Sequence, residues 1–483
     1  MTDGSPTIFH PVITEWFQRR FPNGPTDPQR HAWPEIATGD DVLVAAPTGS
    51  GKTLTAFMVG INEFFLHPPE AQPLGPSIVY LSPLKALATD IRHNLQQPLE
   101  ELASLAVEMG YEAPPIRVEV RTGDTSQNER QQHVRKPPHI YVTTPESFYL
   151  LLTSPNGRNI LRHVSTVIID EIHYMAPDKR GTHLSLSLER LDRLTHETSG
   201  RRAQRIGLSA TQRPLELVAS FLSGVDRARP TRIVDCVAAR NVDFAISLPT
   251  TELEAVMPTE QFHEVLGQLA DMVAQHTTTL IFVQSRRLAE RLAHELTDVL
   301  LDNALVGDAE QSVAAHHGSM SHERRHLIET KLRTGQLRAL VATASLELGI
   351  DIGPVDLVVQ VGSPRSISTF LQRAGRANHR VGGVPTARLI PFNRHELIEA
   401  IALLDSVHRG ELDVLQIPEE PIDVLMQQIV AEVSTRADDT PDELFELVRH
   451  AYPYRNLARA TFDEALDFVS RGVFTGRGQR GQQ

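Results

Sequence analysis

The chain has 483 residues, 41% hydrophobic and 22% charged, with a formal net charge of −13 at pH 7. That length exceeds a single ordinary domain, and the single cysteine, Cys236, excludes an intrachain disulfide, a cysteine-rich zinc site and a protein-held iron–sulfur cluster. No apolar run reaches the ~18 residues of a membrane helix and no basic segment leads into an apolar stretch at the start, so a cytoplasmic protein with no membrane partner is expected.

Short β-branched runs alternate with helix-patterned segments through most of the chain, the signature of doubly wound α/β structure. Strands are expected at residues 42–45, 77–81, 117–121, 140–143, 166–170 and 205–209, then at 278–283, 313–317, 339–343, 357–361 and 387–391. The stretch 247–259 carries two prolines and no clear period, and reads as the connection between two lobes. After Ile417 the pattern changes to helical spacing (Val424, Leu425, Gln428, Ile429, Val433), with further helices expected at 441–450 and 461–471. The closing GRGQRGQQ is polar, glycine-rich and expected to be disordered. The domains so drawn are a first lobe at 1–245, a second at 246–416, a helical domain at 417–475 and a polar tail at 476–483.

Within that frame, Gln29 lies upstream of the first motif, where its amide could read an adenine edge, or simply belong to the turn after Pro28. The strand at 42–45 then runs into APTGSGKT and an apolar helical pattern, which is a phosphate loop in its strand–turn–helix context. Thr48, Gly49, Ser50 and Gly51 would cradle phosphates with backbone N–H groups, Lys52 would reach the β and γ phosphates, and Thr53 would ligate Mg²⁺. Ala46 stands where the general pattern asks for a first glycine. The buried run TVIIDEIH ends in two carboxylates, Asp170 to hold Mg²⁺ and Glu171 to activate the attacking water. His173 either couples these to Ser209 and Thr211 of the SAT triplet or packs as a core histidine.

Further along, QRAGRANHR supplies Gln372, a coupling candidate, and Arg373 and Arg376, which would stabilise transition-state charge on the γ-phosphate. ATASLELGIDIG places Gly349 and Asp351 toward the nucleotide. Thr343, Lys85, Arg121, Thr122, Thr144, Pro145, Glu146, Ser285 and Arg286 form the proposed nucleic-acid groove, where ordinary loop capping is the competing reading. The net acidity argues against a nucleic-acid partner, but residues 365–394 hold six arginines and no Asp or Glu. Such a local basic strip suits a phosphate backbone, although a solvated basic face would look the same.

APTGSGKT, DEIH, SAT and QRAGR together resemble the DExH branch of superfamily 2 helicases. The finer detail resembles the Lhr (large helicase-related) family: TTPES, RTGDTSQNERQ, DEIHYMAPDKRG, TASLELGIDIG, GRANHRVGG and VLMQQIVAEV. The resemblance runs from about Phe21 to Arg471 and implies two tandem RecA-like lobes followed by a winged-helix-type domain. It implies an ATP- and Mg²⁺-dependent, monomeric motor moving 3′ to 5′ on single-stranded DNA, unwinding duplexes or DNA/RNA hybrids, with DNA repair at the nucleoid as the usual context. Two departures stand out. His379 occupies the place where superfamily members commonly carry a second arginine, and the chain stops where Lhr-like proteins continue for hundreds of residues. An RNA helicase of the same architecture and a nucleic-acid-binding scaffold with a vestigial ATPase are the competing readings, since no motif here reports on the 2′-hydroxyl.

Overall fold

The computed structural model describes residues 8–47, 49–69, 74–210, 212–225, 231–236, 242–303, 312–347, 353–378 and 383–471. By internal contacts the chain forms two compact units, one of Met1–Ala46, Gly51–Cys236 and Val414–Gln483, the other of Pro47–Ser50 and Val237–Asp413.

The first unit is built on seven strands: β1 (Asp41–Ala45), β2 (Ile78–Leu81), β3 (Val118–Arg121), β4 (Ile140–Thr143), β5 (Thr166–Ile169), β6 (Gln204–Ser209) and β7 (Thr231–Asp235). They pair in the order β3-β4-β2-β5-β6-β1-β7, every pair parallel. β1, β2 and β4 are buried along their whole length, as continuous apolar runs covered on both faces must be. Because every strand runs the same way, the residues following β1, β2, β3, β4, β5 and β6 all emerge at one edge of the sheet, where open parallel sheets bind ligands.

The second unit repeats the plan with six strands: β8 (Asp243–Ile246), β9 (Thr279–Phe282), β10 (Val313–His316), β11 (Ala339–Ala342), β12 (Leu357–Val361) and β13 (Thr386–Ile390). Their order is β10-β11-β9-β12-β13-β8, again all parallel. β7 and β8 are absent from the expected strands. Both are edge strands with mostly exposed or half-exposed residues, so neither shows the apolar run that marks a central strand. β8 also corrects the expected lobe boundary at 245/246, because Phe244 and Ala245 already pair with Ala387 and Arg388 of the second sheet. The stretch 247–259 therefore follows β8 inside the second unit, and the crossing between units comes earlier, at Cys236–Val237.

The expected C-terminal helices form at Ile422–Val433, Pro441–His450 and Arg459–Arg471. The middle one opens on a capping box of Thr440 and Glu443 with Pro441 at its first position, three start signals in four residues. These helices do not stand apart. Their core residues Leu425, Ile429, Phe445, Tyr454 and Phe462 share a cluster with Leu186 of the helix Lys179–Ser199. A charged seam reinforces that apolar contact. Arg190, fully buried, donates from Nε to Glu432 at 2.6 Å and from Nη1 to Gln428 at 2.9 Å. Arg193 forks onto Asp439 at 2.8 and 2.6 Å, and Arg436 reaches Glu197 at 2.6 Å. The tail beyond Arg471 lies outside the described residues. Among the described residues no helix is long and apolar enough to cross a membrane.

Removing one partner of a buried ion pair costs more than the pair contributes, since it strands the other charge. Arg190→Ala is expected to lower the unfolding free energy of the first unit by about 3–5 kcal/mol in urea titrations, and Lys179→Ala, at the exposed pair with Asp423, to leave it nearly unchanged.

Candidate functional site

Gly49 (φ 76°) and Gly51 (φ 84°) take left-handed backbone conformations between the end of β1 and the helix Lys52–Leu66. Those angles, costly for any residue with a Cβ, turn successive N–H groups toward one side of the loop. Lys52 is buried, and its Nζ donates to the Ala46 carbonyl at 2.7 Å. The Ser50 hydroxyl donates to the Pro47 carbonyl at 2.7 Å. Ala46 continues the ladder of β1, its N–H donating to Ser209 at 3.1 Å, and shows no positive φ. A glycine is therefore not required there, which explains the departure from the general pattern.

Gln29 sits in the first turn of the helix Asp27–Ala37, where its side chain accepts from the Thr26 N–H at 2.9 Å in a capping box. The turn reading is thus realised. The same amide also faces the phosphate loop, since a Cβ on Gly51 would lie 2.9 Å from Gln29 Nε2. The same stretch of chain forms a feature that the motif reading missed, a cavity of about 300 Å³ lined by Phe9, Phe17, Phe21, Pro25, Trp33 and Met58 among others. The rings of Phe9 and Phe17 pack edge-on against Trp33 at 4.8 and 5.2 Å. The aromatic density of residues 9–33 was the available signal.

Asp170 and Glu171 follow β5 directly, and both are buried. Asp170 Oδ1 accepts the Glu171 N–H at 3.0 Å, and Oδ2 accepts the Tyr80 hydroxyl. Burial, with the Glu171 charge adding to it, pushes the Asp170 carboxyl up to about 7, against the pull of Tyr80 and Lys52. Glu171 holds a left-handed conformation at φ 45°, ψ 44°. Its Oε2 lies 3.5 Å from His173 Nε2. His173 is buried, and its Nδ1 accepts the Ala210 N–H at 3.1 Å, which leaves the proton on Nε2, facing Glu171. Burial lowers the pKa of His173, keeping it neutral. The structure thus joins DEIH to the SAT segment through one imidazole. Ser209 donates to the Ala210 carbonyl at 3.0 Å. Thr211 lies outside the described residues, as do Thr48, Gly349 and Asp351.

The groove candidates of the first unit gather where β2, β3 and β4 end. Lys85 opens the helix after β2 and pairs with Asp124 at 2.7 Å. Arg121 closes β3, and its carbonyl accepts the Thr143 hydroxyl at 2.7 Å. Thr122 accepts from Asp124 N–H at 3.2 Å. Thr144 caps the helix Pro145–Leu152, and Glu146 in its first turn pairs with Arg180. In the second unit Ser285 caps the helix Arg286–Asp302, Arg286 donates to Ser319 at 3.1 Å, and Thr343 follows β11 with its N–H on His316 at 3.1 Å.

Arg373 is buried, donating to Gln360 Oε1 at 2.8 Å and Glu347 Oε2 at 3.0 Å, with its guanidinium over the Phe282 ring at 5.0 Å. These contacts tie the helix Ile367–Ala374 to β12. Arg376, also buried, donates to the Glu347 carbonyl at 3.0 Å. Gln372 is half-buried on the same helix. The expected basic strip is likewise largely paired within its own unit, Arg388 with Asp243 and Arg394 with Glu252. Arg380 lies outside the described residues.

A magnesium ion fits the donors present. Asp170 and Thr53 offer hard oxygens, the raised Asp170 pKa marks a site where a cation would be favourable, and Mg²⁺ draws most of its ligands from phosphate and water.

Three family patterns match the chain: DEAD/DEAH box helicase over residues 26–218, helicase conserved C-terminal domain over 260–382, and large helicase-related protein, winged helix domain, over 405–477. The chain is 41% identical to the Lhr helicase/probable uracil glycosylase of Mycolicibacterium smegmatis, across 96% of its own length and 32% of the relative's. It is 42% identical to ATP-dependent helicase Lhr-Core protein 2 of Thermococcus barophilus, across 96% and 53% respectively. A solved structure of Mycobacterium smegmatis Lhr bound to ssDNA and AMP-PNP superposes with a TM-score of 0.86 at 42% identity, over 96% of this chain and 58% of that one. The chain spans between about a third and just over half the length of these curated relatives.

The geometry of Gly51 makes a separable expectation. Gly51→Ala should destabilise by about 1–3 kcal/mol from backbone strain, and further by the clash with Gln29. Gly200→Ala, at φ 70° with no neighbour within 4 Å, carries the strain alone. The difference between the two urea midpoints measures the Gln29 contact.

Proposed function

The chain belongs to the Lhr family of superfamily 2 helicases, and from that premise we propose that it is an ATP-dependent translocase moving 3′ to 5′ on single-stranded DNA. It unwinds duplex DNA or DNA/RNA hybrid ahead of it, in the service of DNA repair. The observation that carries this reading lies at one edge of the first sheet, where Lys52 bonds the Ala46 carbonyl, Asp170 accepts the Glu171 N–H, and His173 lies 3.5 Å from Glu171 while accepting the Ala210 N–H.

Each residue has a task that its surroundings suit. Lys52 exchanges its bond to Ala46 for the β and γ phosphates, and the N–H groups of the loop close on the same oxygens. Asp170 and Thr53 would hold Mg²⁺, which when bound neutralises charge on the phosphates. Glu171 orients the attacking water and takes its proton. His173 carries any shift of Glu171 to the Ala210 backbone, and so to the end of β6. Arg376 stabilises charge that develops on the γ-phosphate, while Arg373 and Gln360 hold the helix that bears it. Gln29 and the aromatic cavity lined by Pro25 and Trp33 accept the adenine. The hydroxyls, N–H groups and cations after β2, β3, β4, β9 and β11 grip the nucleic-acid backbone without reading bases.

ATP hydrolysis measured without nucleic acid, with single-stranded DNA and with single-stranded RNA tests the reading. DNA is expected to stimulate most, and Glu171→Gln to lower the rate by about 10²–10⁴ with ATP binding retained. Stimulation by RNA equal to or above that by DNA would transfer the proposal to an RNA helicase. Nucleic-acid binding without hydrolysis would leave a scaffold.

A further inference from the structure

Tyr80 is the third residue of β2, a strand otherwise made of aliphatic side chains, and it is completely buried. Its ring stacks on Phe57 of the helix Lys52–Leu66, with centroids 5.0 Å apart and planes 17° from parallel. A phenylalanine would fill that space as well. A buried hydroxyl costs free energy unless it is hydrogen-bonded, so its partner is informative. The partner is Asp170, on the neighbouring strand, whose Oδ2 accepts the phenolic proton. The side chain of Thr53 is a second hydrogen-bonding neighbour of the same hydroxyl. Tyr80 thus stands between the two residues assigned to the metal side of the phosphates. None of the motifs reaches it, because it lies in a core strand two residues before SPLKAL begins its loop.

We propose that Tyr80 is a positioning residue for the metal–nucleotide complex: its hydroxyl fixes the Asp170 carboxylate in one rotamer before Mg²⁺ and ATP arrive. The other oxygen, Oδ1, is already held by the Glu171 N–H at 3.0 Å, so the two bonds together leave the carboxylate no free rotation. A ligand group ordered in advance loses less entropy on binding, and the benefit appears only in the metal-dependent part of the affinity. The inference rests on the nucleotide-hydrolysis reading above and adds to it a residue outside the motifs.

The test is Tyr80→Phe, which keeps the ring stack, compared with Phe57→Leu, which loosens the stack and keeps the hydroxyl. A fluorescent AMP-PNP analogue is titrated against each 483-residue variant in EDTA and across a Mg²⁺ series, with thermal melts recorded alongside. Tyr80→Phe is expected to bind the analogue in EDTA as wild type does and to need about tenfold more Mg²⁺ for half-saturation, and Phe57→Leu to keep the wild-type Mg²⁺ requirement. An unchanged Mg²⁺ requirement in Tyr80→Phe, or an equal loss of affinity with and without Mg²⁺, would overturn the role of Tyr80 and leave the hydrolase reading standing. If the wild-type protein bound no nucleotide, the hydrolase reading would fall and this one with it.

Discussion

Asp170 and Glu171 are neighbours in sequence, 5% and 8% exposed, and two carboxylates held that close and that dry repel one another while both lose their water. Much of the first unit's chemistry answers that problem. Tyr80 and the Glu171 N–H supply hydrogen bonds to Asp170, Lys52 supplies opposite charge, and a neutral His173 presents its remaining N–H to Glu171. Glu171 adopts a left-handed conformation that costs a non-glycine residue roughly 1–3 kcal/mol. The strain is sustained because the segment is fixed at both ends, by β5 before it and by the His173–Ala210 bond after it. A site that concentrates negative charge, strain and oriented N–H groups at one sheet edge is poised for a cation and a polyphosphate together.

The second unit meets the opposite problem, buried cations. Arg373 and Arg376 are 8% and 4% exposed, and both converge on Glu347, one on its carboxylate and one on its carbonyl. The face of Phe282 and the amide of Gln360 complete the enclosure of Arg373. An arginine held this firmly keeps its neighbour Arg376 in register three residues along. Both arginines are thus fixed against one residue, Glu347, Arg373 on its carboxylate and Arg376 on its backbone.

Most of this arrangement was legible in the sequence, and the exceptions have physical causes. All eleven expected strands form, nine of them central strands that are apolar on both faces and announce themselves as runs, and two of them, β3 and β10, edge strands carrying valines or alanines enough to be read. β7 and β8 escaped because these edge strands are mostly exposed or half-exposed and carry charged residues at their ends, and missing β8 displaced the boundary between the units. The phosphate loop and DEIH were readable because glycines, a lysine and paired acids at fixed spacing have few other uses. Tyr80 was not, since a tyrosine in a core strand looks like packing until its hydroxyl is seen to meet Asp170. Gln29 shows the reverse: the sequence offered capping and recognition as alternatives, and the structure realises the cap while leaving the amide against the phosphate loop. The partner of Arg373 was not readable, because sequence gives a charge without its neighbour, and Glu347 lies 26 positions away.

The same blindness affects charge as a whole. Six arginines between residues 365 and 394 suggested a basic strip in a protein of net charge −13, yet Arg373, Arg388 and Arg394 are paired with acids of their own unit. Electrostatic grip by an unpaired basic surface is therefore a poor account of how such a chain would hold a polyanion. What the strand ends offer instead are helix N-termini: Thr144 and Ser285 each cap a helix by accepting one first-turn N–H, from Ser147 and Leu288. The first of these helices begins on Pro145, which has no N–H, and brings the Glu146 carboxylate to the same end, whereas the helix after Ser285 keeps the Arg286 and Arg287 N–H groups outside the intrahelical ladder at the positive end of its dipole.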